Sequence, residues 1–103
     1  MDKMILTVFR NRLNPEATQD YNAMQPRITS LAKGMPGYVS HKTFVAEDGE
    51  RVTLVEFDSA ENHRAWAVHP EHIEAQKKGR SSFYLEYDIK VCEVIKTRSY
   101  KKQ

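Results

Sequence analysis

The chain has 103 residues, 40% of them hydrophobic and 29% charged, with a net charge of +2 and a single cysteine. That length predicts one domain with a thin core, and no apolar run approaches the ~20 residues of a membrane span. Four of the 16 cations lie in the tail from Lys96, which leaves 12 against 14 acids in the body. The body therefore lacks the basic face of a nucleic-acid binder, and "KTRSYKK" reads as a solvated tail.

"MILTVFRNRL" (4–13) reads as a strand, with Met4, Leu6 and Val8 on one face and Ile5, Phe9 and Leu13 on the other. Asn14 caps a helix that has Pro15 at its first position and runs to about Lys33. Pro26 predicts a kink or break inside it, and Gly34 closes it. "YVSHKTFVA" and "RVTLVEF" are predicted strands, joined at Asp48-Gly49, a strong hairpin signal. Ser59 caps a second helix to about Val68, and Pro70 starts another that Gly79 ends near Lys78. "FYLEYDIKVCEVI" closes the chain as an alternating strand. Leu85, Tyr87, Ile89 and Val91 take one face of it; Tyr84, Glu86, Asp88, Lys90 and Cys92 take the other.

The order β-α-β-β-α-β predicts an α+β, ferredoxin-like sandwich, an antiparallel sheet with helices on one face. Strands apolar on both sides need cover on both, so two copies are expected to pack sheet to sheet as a homodimer through the face of Ile5 and Phe9. The predicted domain spans 1–95, and a basic tail spans 96–103. Cys92 allows no internal disulfide and, with no signal peptide evident, fits a cytoplasmic location.

Chemistry-bearing residues concentrate in "NHRAWAVHPEHIEAQKKGR" (62–80). His63, His69 and His72 follow no zinc spacing, and Pro70 interrupts the helix between them, so no metal site is predicted. His69 reads as a cap ahead of Pro70, and His63 and His72 as exposed helix positions. His41, on a strand, reads as a hydrogen-bonded core or pocket histidine. Trp66 either anchors its helix to the sheet or walls a pocket for a flat aromatic ligand. Asn62, four residues earlier, could place an amide near whatever Trp66 touches. No nucleophile elbow, glycine-rich phosphate loop or acid dyad is present.

The "MPG-aromatic" turn, the "DGE" hairpin, "EF-x-S", "AW-x-x-HPEH-x-x-AQ-x-x-GR" and "FY-x-x-Y" together resemble the antibiotic biosynthesis monooxygenase (ABM) domain family, from Met4 to Ile95. The resemblance implies a dimeric α+β barrel. For some members it also implies O₂-dependent oxygenation of a small aromatic or quinol-like substrate, with no metal or organic cofactor. Asn62 and Trp66 would then line the pocket, with His69 or His72 hydrogen-bonding or deprotonating a hydroxyl. Asn11, His41, Tyr84 and Tyr87 are the expected substrate contacts. A non-catalytic dimeric binding or stress-response protein would use the same pocket. Haem-degrading relatives pair a first-strand Asn, here Asn11, with a Trp and an iron-binding His ten residues later; Gln76 stands at that position and is a poor iron ligand.

Overall fold

The computed structural model describes residues 3–102. Four strands form one antiparallel sheet in the order β2-β3-β1-β4: β1 (Ile5–Leu13), β2 (Tyr38–Val45), β3 (Arg51–Phe57) and β4 (Tyr84–Glu93). The helices are α1 (Thr18–Lys33), α2 (Ala60–Ala67) and α3 (Pro70–Lys78). This is the expected ferredoxin-like α+β architecture.

Local chemistry sets the element ends. The Asn14 side chain accepts from the Glu16 N–H at 3.0 Å and opens a 3₁₀ turn, Pro15–Ala17, that leads into α1. Ser59 takes the Asn62 N–H at the start of α2, and His69 Nδ1 takes the Glu71 N–H at the start of α3. The β2–β3 loop closes through Ala46 and Glu50 with Gly49 at φ 91°.

Three features depart from the sequence pattern. α1 runs through Pro26 without a break. Pro26 and Asn22 both face solvent, where water can take the carbonyl that proline leaves unpaired. Gly79 does not end the helical segment; it begins a π-helical turn, Gly79–Phe83. Its φ of −56° suits any residue, but a Cβ there would sit 2.8 Å from the Tyr84 ring. Finally, β1 and β4 slip register between Arg12↔Glu86 and Leu13↔Tyr84, so Leu85 is the extra residue of a bulge. The slip moves Tyr84 from the face of Glu86 to that of Tyr87, where both rings meet Phe9 edge-on. Leu85 is left 66% exposed.

The face expected to meet a second sheet, that of Ile5 and Phe9, instead packs under the helices, because Val55 and Phe57 share it and meet Ala32 and Trp66 to form the core. Phe57 is fully buried and clusters with Ala32 and Trp66; Ile28, Leu31, Met35, Tyr38 and Val55 pack around them. On the opposite face Leu6, Val8, Val52, Leu54 and Phe44 form an apolar centre. Arg10, bound to Glu50, and Arg12, bound to Asp48 and Glu86, rim it.

Two glycines with positive φ separate backbone strain from crowding. Gly49→Ala meets open space and should lose only about 1–2 kcal/mol for the left-handed backbone. Gly37→Ala (φ 80°) would also drive its Cβ into Asp58 and Asn62, so it should lose more. Denaturant titration of the two variants should rank them in that order; equal losses would refute the crowding at Gly37.

Candidate functional site

A cavity of about 320 Å³ lies between the sheet and the helices. It exists because short side chains face each other across the core. Thr7, Thr43 and Thr53 form the floor where larger aliphatics would fill the space, and Thr29, Ala32, Ala67 and Ala75 lie on the helices above. Phe9, Ile89 and Val91 continue the floor. Tyr21, Phe83 and Tyr84 close one end with edge-to-face rings.

Three histidines from three elements line this cavity: His41 on β2, His63 on α2 and His72 on α3. His41 Nδ1 is 2.7 Å from the Tyr38 hydroxyl. His63 Nε2 is 3.0 Å from Thr7 Oγ1, and its ring meets Phe57 edge-on. His72 lies flat on Trp66, with ring centroids 4.1 Å apart and planes 12° apart. Its Nδ1 sits 3.1 Å from the Trp66 carbonyl oxygen. A carbonyl only accepts, so Nδ1 carries the proton and Nε2 keeps its lone pair. Among the described residues Nε2 has no hydrogen-bond partner.

Burial pushes all three imidazoles below their ordinary range. Lys33 adds to this at His41, and His69 and His63 add to it at His72; the Trp66 carbonyl opposes it there. The three are therefore neutral at pH 7 and able to accept a proton. Burial, and then Tyr21, push the Tyr84 phenol up, so it remains protonated and can donate a hydrogen bond.

The remaining sequence candidates divide. Trp66 is buried, anchors α2 and also lines the cavity, so the two readings of it coincide in one residue. Asn62 and His69 do not line the cavity. Asn62 donates to the Asp58 carboxylate at 2.8 Å and packs against Gly37. The Nδ1 of His69 is engaged as the α3 cap. Tyr87, 43% exposed, borders a smaller adjoining cavity of about 200 Å³. Asn11 is buried near this end of the sheet, opposite Tyr87, with its amide oxygen unpaired among the described residues. Such an orphan costs about 1–3 kcal/mol unless water or a ligand meets it. Contrary to the expectation of exposure, His63 and His72 turn inward. His63 follows from its place three residues before buried Trp66, and His72 from its stack on that ring. The described residues hold no cluster of three or more His, Cys, Asp or Glu side chains able to bind a metal ion, and no helix long and apolar enough to cross a membrane.

A four-stranded antiparallel sheet with its helices on one face defines the fold, and solved structures share it. Rv0793 from Mycobacterium tuberculosis superposes with a TM-score of 0.80 at 14% identity, covering 93% of this chain and 99% of that one. SnoaB from Streptomyces nogalater, a cofactor-independent oxygenase, gives 0.76 at 14%, covering 92% and 96%. A candidate antibiotic biosynthesis monooxygenase from Caulobacter crescentus gives 0.78 at 12%, covering 92% of each chain. At these identities the likeness is one of fold. No family model matches the chain. The uncharacterized protein YqjZ of Bacillus subtilis is 30% identical over 93 residues, which is 90% of this chain and 82% of YqjZ. The chain belongs to the same family as YqjZ, and its fold is that of the antibiotic biosynthesis monooxygenase-like structures.

The depressed histidines link protonation to stability. Between the unfolded value of 6.5 and the lower folded values, the unfolded chain binds more protons. Stability is thus full above pH 6.5 and falls as pH drops through the folded values. Asp48 and Glu71, held below 3.8 and 4.5 by hydrogen bonds and ion pairs, act only in a more acidic window. The melting temperature should fall between pH 6.5 and 5, and less steeply in His72→Gln. A flat profile over that range would refute three half-buried neutral histidines.

Proposed function

We propose that the protein is a cofactor-independent monooxygenase that oxygenates a small hydroxylated aromatic with O₂, with His72 as the base. The carrying observation is the Trp66 carbonyl on His72 Nδ1, which leaves a neutral Nε2 lone pair on an imidazole lining an aromatic cavity. The fold shared with SnoaB, a cofactor-independent oxygenase, supports the reading.

An anthrone-type substrate balances as follows. His72 Nε2 takes the proton of the enol or ring CH₂, and the resulting anion is electron-rich enough to reduce O₂. Carbon–oxygen bond formation gives a hydroperoxide anion. Return of the proton and loss of water convert CH₂ to C=O. One oxygen atom enters the product and the other leaves as water, with all four electrons from the substrate. The protein supplies the base, the phenol of Tyr84 as a hydrogen-bond donor, and a low-polarity enclosure that strengthens both.

Haem fits these residues poorly. Gln76 donates its amide N–H to the Ala67 carbonyl at 3.3 Å, so no imidazole stands where the haem-degrading pattern needs one.

The proposal includes a homodimer formed through the outer sheet face. An apolar centre ringed by charges has the anatomy of an interface. A chain tail with Ile95 87% and Tyr100 85% exposed also favours cover by a second copy. Light scattering should give twice 12.0 kDa, and Leu54→Asp should give the monomer. A 12.0 kDa wild type at micromolar concentration would overturn the pairing.

The catalytic reading is tested by oxygen uptake with a panel of anthrones and hydroquinones. His72→Gln should lower kcat/KM about 10²–10⁴-fold. The wild-type rate should fall with unit slope below a value under 6.5, as His72 protonates. Asn62→Ala, which removes the Asp58 hydrogen bond outside the cavity, should leave kcat unchanged. Full activity in His72→Gln would sink the assignment of the base.

A further inference from the structure

We propose that the substrate is an anionic hydroxyarene whose carboxylate is held by Arg80. This rests on the reading of the main cavity as an aromatic site. The two cavities adjoin, with Phe9, Gln76, Tyr84 and Ile89 lining both. The main cavity is lined by no carboxylate, and Arg80 is the single formally charged side chain lining the smaller one. Arg10, Arg12 and Arg27 each hold an acid, whereas Arg80 holds none among the described residues.

The spacing supplies a ruler. His72, Gln76 and Arg80 stand four residues apart, on one stripe that continues from α3 into the π-helical turn. At ~1.5 Å per residue the base and the guanidinium project from backbone positions about 12 Å apart. A two- or three-ring arene with its hydroxyl at one end and a carboxylate at the other spans that interval. The guanidinium fork matches a carboxylate by paired N–H donors. Every other group along the path is neutral, so the site attracts an anion without repelling it.

Calorimetric titration with 6-hydroxy-2-naphthoate and with its methyl ester tests this without turnover. The wild type should bind the carboxylate about tenfold more tightly than the ester, a modest factor because Arg80 is solvent-exposed. Arg80→Gln should abolish that preference and leave ester affinity unchanged, while Arg80→Lys should retain part of it. The preference should also shrink at 0.5 M salt, where charge contacts are screened. Equal binding of the two probes by the wild type, or a preference that survives Arg80→Gln, overturns the anchor. A lowered melting temperature with the preference intact would mean that Arg80 only complements the C-terminal end of α3. Failure of both probes to bind would overturn the aromatic-cavity reading, and the anchor with it.

Discussion

The imidazole of His72 lies on the indole of Trp66, tied to that residue's own carbonyl. Much of the site depends on this one arrangement. The stack joins α2 to α3 across the His69-Pro70 junction, where neither helix is long enough to hold itself. The carbonyl selects the imidazole tautomer, which no pattern of residue types could do. Trp66 is in turn packed against Phe57 and Ala32, so the His72 imidazole is referred to the most deeply buried part of the core.

The cavity follows from the same core. Phe57 and Trp66 fill the β3–α2 side, and the aromatic group of Tyr21, Phe83 and Tyr84 fills the other. Between them the sheet offers threonines and the helices offer alanines, so the middle stays open. The bulge at Leu85 completes the end wall, because without it Tyr84 would point away from the helices. Gly79 is needed at the same place, since any side chain would meet the Tyr84 ring.

The fold was legible because its signals are local: alternating apolar residues, capping Asn14 and Ser59, the Asp48-Gly49 turn and proline-led α3. The site was legible only in part. Trp66, His72, His41 and Tyr84 stood out by residue type, and all four line the cavity. Asn62 and His69 stood out equally, yet hydrogen bonds to Asp58 and to the α3 backbone hold them outside it. Helical spacing placed Asn62 near Trp66 but did not reveal that Asp58 and Gly37 would claim its amide. His63 was missed, although a readable signal existed. Thr7, Thr43 and Thr53 fall on the same sheet face as Ile5 and Phe9, the face that packs beneath the helices. Polar residues on a core face call for partners, and His63 Nε2 is the partner of Thr7. The bulge at Leu85 left no mark in the alternation of β4, and so Tyr84 was assigned to the wrong face.

A hollow core has a thermodynamic consequence for a chain this small. The open volume and the unpaired Asn11 oxygen subtract from stability, and below pH 6.5 the three imidazoles subtract as well. The ion pairs Arg10–Glu50, Arg12–Asp48 and Arg27–Glu71 return little, because each lies at the surface in contact with water. Two other sources of stability remain, cover of the outer sheet face and occupancy of the cavity. They act on opposite sides of one sheet. The first removes the apolar patch of Leu6, Val8, Leu54 and Phe44 from water and makes no contact with ligand. The second adds free energy only as the logarithm of ligand over Kd, so it depends on concentration where the first depends on partner copies. An open cavity over one face thus puts a premium on burial at the other. That coupling is the physical argument for the proposed pairing of this domain through the face opposite its cavity.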